Sequence, residues 1–422
     1  MTHVLDELRW RGLVAECTDE TALRQALDDG PVTYYVGFDP TAPSLHVGHL
    51  VQVLTARRLQ QYGHRPIALV GGATGLIGDP KATGERTLND PEVVASWVDR
   101  IRGQIEPFLS FDGPNAATVV NNLDWTAEMS AIELLRDVGK HFSVNRMLDR
   151  EAVATRLAST GISYTEFSYV LLQSNDFLEL HRRFGCSLQL GGSDQWGNLT
   201  AGVDLIRRVE GHRAHALATP LLTKADGTKF GKTEGQAVWL DPALTSPYAF
   251  FQFWLAAEDA SVADYLRVFT FRDADEIAAL EVATRERPAA REAQRVLARD
   301  VTALVHGQDA ARRAEAAGHA LFGRGDLGDL DERTLAEALA EVPTGAVTAE
   351  DLVDVPRLLV AAGVVPSISA GRRVVAEGGA YVNNSKVTDP DAAVGAEQLL
   401  HGRWLVLRRG RRTLGAVEVR PS

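Results

Sequence analysis

Two histidines three residues apart, His46 and His49, bracket Gly48 where an apolar run gives way to a helical pattern. On a first helical turn such residues share a face, and a glycine between them lets a ligand come close to the backbone. Free amides and the positive end of the helix dipole make that place suitable for phosphate. Far downstream, Lys229-Phe230-Gly231-Lys232-Thr233 supplies two ammonium groups and a hydroxyl. Lysine is a compact charge on a flexible stem, able to follow a phosphate as it leaves as pyrophosphate. A histidine pair alone reads as half-exposed surface; the phosphate reading comes from the conjunction.

These groups need elements to hold them. Tyr34-Tyr35-Val36-Gly37-Phe38 is rich in β-branched and aromatic residues and stops at Asp39-Pro40, as a strand must where proline removes the amide donor. From Leu45, the residues Leu50, Val53, Leu54 and Leu59 recur at helical spacing. Further strands are expected at 65–75, 117–122 and 186–192, each ending in glycine or polar residues, with helical stretches between. That alternation predicts an α/β fold, a Rossmann-like doubly wound parallel sheet with ligands at its carboxyl edge, where Asp79, Asp194 and Gln195 also fall. A polar stripe, Tyr169, Gln173 and Asp176 at i, i+4 and i+7, runs along an apolar helical stretch at 164–184. It needs partners, whether solvent, a core network or a substrate. Residues 4–28 read as one amphipathic helix closed by Gly30-Pro31.

The two short stretches around His46 and Lys229 resemble the HIGH and KMSKS signatures of class I aminoacyl-tRNA synthetases. The longer runs Tyr35-Val36-Gly37-Phe38-Asp39-Pro40-Thr41 and Gly191-Gly192-Ser193-Asp194-Gln195-Trp196-Gly197-Asn198 are similar to those of bacterial-type tyrosyl-tRNA synthetases, over nearly the whole chain. The resemblance implies tyrosine and ATP as substrates, a tyrosyl-adenylate intermediate, and transfer to tRNA(Tyr). It implies that His46, His49, Lys229, Lys232 and Thr233 act on the phosphates, and that Gly37, Gly192 and Asp194 contact the adenosine. Asp79, Tyr169 and Gln173 would take the tyrosine ammonium, and Tyr35 and Asp176 the phenol, with Asp39 and Gln195 lining the same pocket. Magnesium would come with ATP, with no metal site of the protein's own. A homodimer is implied as well. Gln52, in the first helix, stands where family members vary.

A P-loop is the competing reading of Gly227 to Thr233. It fails because only three residues separate the glycines and because the following run to Pro242 reads as a short strand, whereas a P-loop must open a long helix. Tryptophan as substrate fits poorly, since indole has no phenol oxygen for Tyr35 and Asp176. A non-catalytic RNA-binding relative would be expected to have damaged signatures, and both are intact. A ligase charging something other than tRNA is countered by the basic carboxyl-terminal segment.

At 422 residues the chain has room for two or three domains with buried cores. A net charge of −12 argues against wholesale coating of nucleic acid, so any RNA contact must be local. With only Cys17 and Cys186 there is no disulfide framework, no targeting segment opens the chain, and no run is long enough for a membrane span. A cytoplasmic protein is expected.

The expected division is a catalytic domain at 1–245, a helical domain on the anticodon side at 246–325, a linker at 326–354, and at 355–422 a small α+β RNA-binding domain similar to a ribosomal small-subunit protein. In that last part, residues 401–422 hold six arginines against one acidic residue, Glu418. Arg408, Arg409, Arg411 and Arg412, with Arg372 and Arg373, are the candidate RNA-binding cations. Gly371 is unusual inside the helix expected there.

Overall fold

The computed structural model describes residues 3–80, 88–223, 230–233, 236–349, 352, 354–410 and 412–420, in two compact units. The first comprises Met1–Asp241 and Ala260–Ala279. Its sheet contains β1 (Glu16–Cys17), β2 (Thr33–Phe38), β3 (Arg65–Val70), β4 (Thr118–Asn121), β5 (Leu188–Gly192) and β6 (His215–Thr219), in the order β1-β6-β5-β2-β3-β4. Strands β2 to β6 are parallel, and β1 runs antiparallel along β6. The chain leaves β2 for β3 on one side and returns to β5 on the other, so the strand order reverses between β2 and β5, where such sheets open a crevice. Strand β6 is buried along its whole length, as parallel strands covered on both faces are.

The first expectation to be corrected concerns residues 4–28. They form two helices, Val4–Trp10 and Glu20–Asp29, with β1 between them. Gly12 takes φ +73, a left-handed turn that ends the first helix, and Asp19 caps the second by accepting from the Ala22 amide at 3.0 Å. Leu5, Leu8, Leu13, Leu23 and Leu27, whose spacing suggested one apolar face, are all buried, but two come from the first helix, two from the second and Leu13 from the segment between. Strand β6 also went unread, because His-Ala-Leu-Ala-Thr carries no β-branched run.

Ala260–Ala279, expected in the helical domain, belongs instead to the first unit. Two arginines anchor it there. Arg11 donates to the Arg267, Thr270 and Arg272 carbonyls at 2.8, 3.1 and 2.9 Å, and Arg58 to Thr270 at 2.7 Å. These carbonyls lie in the last turn of helix Val262–Phe269 and just beyond it, so the cations sit at the negative end of its dipole.

The second unit comprises Pro242–Asp259 and Leu280–Ser422. Helices Pro247–Leu255, Glu292–His306 and Gln308–Leu321 pack together and lead to a small sheet. Numbered after the hairpin β7 (Lys232–Thr233) and β8 (Gln236–Ala237) of the first unit, its strands are β9 (Thr344–Thr348), β10 (Ala380–Val382), β11 (Ser385–Val387), β12 (Trp404–Arg409) and β13 (Thr413–Arg420), in the order β11-β10-β12-β13-β9. The segment expected as linker is therefore structured. It holds helix Glu332–Leu339, capped by Asp331, and β9, which pairs in parallel with β13. Its glycines and aspartates suggested a flexible connection but serve as caps and turns.

Helices Val355–Ala361 and Ile368–Ala376 cover one face of this sheet, around Leu358, Leu359, Val375, Leu405, Leu407 and Val417. Gly371 is explained by that packing: a Cβ there would lie 3.0 Å from the Pro356 backbone, so only glycine lets the two helices approach this closely.

Candidate active site

Helix Val47–Gln61 opens at the carboxyl end of β2 with a cap made of the two histidines. His46 Nδ1 accepts from the Gly48 amide at 3.0 Å, and His49 Nδ1 accepts from the His46 amide at 3.2 Å. Their rings stack at 3.9 Å. In a neutral imidazole an accepting Nδ1 leaves the proton on Nε2, so the backbone sets both tautomers and makes each Nε2–H a donor. Burial, with His46 adding to it, pushes the His49 pKa down to about 3, so this ring stays neutral at physiological pH. A Cβ on Gly48 would come within 2.8 Å of the His46 ring, which explains the glycine between the histidines.

The downstream loop meets this helix through its backbone. Val47 donates to the Val238 carbonyl at 3.0 Å, and Leu240 to Leu45 at 2.8 Å. Trp239 bridges His46, where the sequence suggested a short strand from Ala237 to Pro242. Gly231, at φ +85, lies so close that a Cβ would be 2.7 Å from Val47 Cγ2. Lys232 and Thr233 form β7 and a hairpin follows, not the helix a P-loop requires. Lys229 lies outside the described residues.

Beside this crevice, helix Tyr164–Phe184 carries Tyr169, Gln173 and Asp176. Ser163 caps it by accepting from the Glu166 amide at 3.2 Å, and Glu166 forms a buried ion pair with Arg156 at 3.0 Å. Asp176 is deeply buried. Its carboxylate accepts from Asn122 Nδ2 at 2.9 Å and from the Trp125 indole at 2.8 Å. Burial raises its pKa to about 7 against the pull of those two donors. Tyr35, 1 % exposed, packs its ring against Phe177, and Asp176's charge acts on its phenol. The Tyr35 hydroxyl is buried and has no partner among the described residues.

Toward the crevice mouth, Tyr169 donates to Asp39 Oδ2 at 2.6 Å, while Asp39 Oδ1 accepts from Thr74 at 2.7 Å. Gln195 and Asn198 donate to the two Asp79 oxygens at 3.0 and 3.2 Å. Gln173 Oε1 is buried and unpartnered among the described residues. Gly37 is the one exposed residue of β2, and the Asp194 carboxylate folds over Gly192, where a Cβ would be 2.5 Å from Oδ1. Gln52 donates to Thr219 at 2.6 Å.

The residues singled out from sequence in this unit, where described, thus lie on or after β2, β3 and β5, at the start of helix Val47–Gln61, on helix Tyr164–Phe184 and in β7. Asn122, Trp125, Thr74 and Asn198 were missed. Only Asn122, at the carboxyl end of a strand already recognised, gave a usable signal.

The candidate RNA-binding cations fare unevenly. Arg373, Arg409 and Arg412 are exposed, Arg372 pairs with Asp391 at 3.1 Å, and Arg411 lies outside the described residues. Arg408 is buried, 7 % exposed, with its guanidinium over the Tyr381 ring, which corrects its place in a surface patch. Along β12 the side chains alternate, sending Arg408 inward and Arg409 out.

Residues 27–323 match the family described as tRNA synthetases class I (W and Y), and residues 334–416 match the tyrosine–tRNA ligase SYY-like C-terminal domain. The chain is 68% identical over 419 residues to the tyrosine–tRNA ligase of Kineococcus radiotolerans, covering 99% of each. It is 66% identical over 423 residues to that of Streptomyces griseus, covering 100% of each. Among solved structures, a C-terminally truncated mitochondrial tyrosyl-tRNA synthetase of Coccidioides posadasii superposes with a TM-score of 0.67 at 31% identity, over 74% of this chain and 91% of that one.

Proposed function

Because the chain belongs to the tyrosine–tRNA ligases of the class I tRNA synthetase family, we propose that the residues above divide its two steps among them. L-Tyrosine reacts with ATP to give tyrosyl-adenylate and pyrophosphate, and the tyrosyl group then passes to the 3′-terminal adenosine of tRNA(Tyr). The tyrosine carboxylate attacks the α-phosphate and pyrophosphate leaves. The protein contributes position and donors aimed at the charge that develops.

His46 and His49 donate from Nε2 toward the phosphate chain, and Lys229, Lys232 and Thr233 bind the β- and γ-phosphates. Magnesium enters as part of the nucleotide substrate. Gly37 and Gly192 give the adenosine room beside the backbone, and Asp194 accepts from ribose hydroxyls. Asp79, Tyr169 and Gln173 receive the ammonium group, with Asp39 orienting Tyr169 and Gln195 orienting Asp79. Arg373, Arg409 and Arg412 meet tRNA phosphates, with Arg372 beside them.

The observation that carries the substrate reading is the buried pair of Asp176 and Tyr35. A phenol can donate to the carboxylate and accept from the Tyr35 hydroxyl, which otherwise has no partner among the described residues. Phenylalanine would leave both groups unpaired, a penalty that far exceeds that of a lost methylene. The general figure for such rejection, about 10⁵, was itself obtained on tyrosyl synthetases acting against phenylalanine, so it describes this family and is no independent prediction from the geometry.

Amino-acid-dependent exchange of labelled pyrophosphate into ATP tests this. Exchange is expected with tyrosine but not with phenylalanine or tryptophan. It should be depressed in Lys232→Ala, and in Asp176→Ala tyrosine binding and discrimination should fall together. Unchanged tyrosine kinetics in Asp176→Ala would refute the assignment.

The ligase works in the cytoplasm with its tRNA and as a homodimer. Supporting the dimer, Ile132, Leu135, Val144 and Tyr164 are 70, 52, 58 and 70 % exposed along one stretch of the first unit. Among the described residues no helix is long and apolar enough to cross a membrane.

A further inference from the structure

Arg408 is an expensive residue to bury, and its surroundings show what it holds. Strands β10, β11 and β12 place Tyr381, Lys386 and Arg408 opposite one another, so the three project from one face of the small sheet. This face is opposite the one that packs on helices Val355–Ala361 and Ile368–Ala376, since Ala380, Val382 and Leu407 lie in that core. The Arg408 guanidinium lies 4.5 Å over the Tyr381 ring and against Gly323, just beyond helix Gln308–Leu321. A Cβ at Gly323 would come within 2.8 Å of Nη2, and Gly323 has φ +76. A cation here also meets the negative end of the helix dipole.

Two further side chains beside the strands reach backbone carbonyls at or after the end of the same helix. Asn384, in the turn after β10 with φ 65, donates from Nδ2 to the Ala320 carbonyl at 2.6 Å. That carbonyl also accepts from the Gly323 amide at 3.1 Å. The His401 ring nitrogen Nε2 lies 2.8 Å from the Leu330 carbonyl.

We propose that Arg408 and Asn384 are positioning residues for tRNA charging: they dock the carboxyl-terminal sheet on the end of helix Gln308–Leu321, so that its exposed cations meet tRNA from a fixed mount. The inference rests on the tRNA ligase reading above. It separates two adjacent arginines, Arg408 turned inward to hold the sheet and Arg409 outward to meet phosphate. A fixed mount spares the ordering that a tethered module would undergo on binding.

The test compares tyrosylation of tRNA(Tyr) with tyrosine-dependent pyrophosphate exchange in the full-length wild type and in Arg408→Met, Asn384→Gly and Gly323→Ala. Arg408→Met keeps the stem, Asn384→Gly keeps the turn, and Gly323→Ala keeps every cation while crowding the guanidinium. All three are expected to raise the KM for tRNA about tenfold, the scale of one or two lost polar contacts, and to leave exchange unchanged. Amide hydrogen exchange at Gly323 and Arg324 should quicken in each, a readout that does not depend on charging. If Arg408 instead contacts phosphate directly, Arg408→Met will lower the salt dependence of tRNA binding by about one charge while Gly323→Ala behaves as wild type. That result overturns the proposal, as do wild-type charging and wild-type amide exchange in all three. A wild type that neither exchanges pyrophosphate nor charges tRNA would count against the ligase reading, and the amide-exchange result would still decide the docking.

Discussion

Gly48 and Asp176 make opposite demands on their surroundings. Gly48 must be small, because His46 Nδ1 takes its amide and the imidazole lies where a Cβ would stand. Gly48→Ala is expected to displace His46 and lower the rate of tyrosine activation by about tenfold to a hundredfold, while the KM for tyrosine stays near wild type; steady-state pyrophosphate exchange reads both. The role proposed for Asp176 needs an ionised carboxylate in a buried place. Its folded pKa of about 7, above the ordinary 3.8, means the folded protein binds this proton more tightly than the unfolded chain does. Its contribution to stability is therefore fully present below the ordinary value and is lost as pH rises through about 7. In the proposed binding mode the sign is the other way, since a phenol would donate to the carboxylate form. The KM for tyrosine should rise as pH falls below about 7 and become independent of pH over that range in Asp176→Asn; a flat wild-type profile between pH 6 and 8 would count against the role. The polar stripe of Tyr169, Gln173 and Asp176 was legible from its spacing. Of its donors, Asn122 was marked only as the end of an expected strand and Trp125 not at all, because both reach Asp176 from another part of the chain and no local pattern records that pairing.

At the scale of elements, strands β2 to β5 were readable because each is a short apolar run stopped by glycine, proline or a polar residue. Strand β6 escaped because alanines give no strand signal, and β1 because a two-residue strand is set by its neighbour and not by its own sequence. The apparent linker was misread for a related reason: caps and turns use the same glycine and aspartate that flexible connections do. Gly371 shows what such a residue can mean once its neighbours are known. In an exposed helix its replacement by alanine would stabilise, but here the added methyl meets the Pro356 backbone. Gly371→Ala is expected to destabilise the carboxyl-terminal sheet and its helices by about 1–3 kcal/mol. Thermal unfolding should show that loss with tyrosine activation intact, and a raised melting temperature would show that the helices can part without cost.

At the scale of the whole molecule, the exposed apolar side chains at Ile132, Leu135, Val144 and Tyr164 are the surface on which the proposed dimer is tested. If the proposed dimer forms through them, the wild type should sediment as a dimer and Ile132→Asp combined with Val144→Asp as a monomer at the same concentration; a double variant that still sediments as a dimer would move the contact elsewhere. The small sheet has one more consequence, for how the protein is made. Its last strand to be synthesised, β13, lies between β12 and β9 and is the partner of both. Until the ribosome has released residues 413–420, β9 has no strand to pair with, and β12 lacks one of its neighbours. A chain cut before residue 413 therefore keeps the whole sequence of the first unit but leaves unpaired strand edges in the second, the kind of surface that cellular proteases and chaperones engage. Synthesis of β13 is thereby coupled to closure of the small sheet, and a chain cut before it is marked by its own unpaired edges.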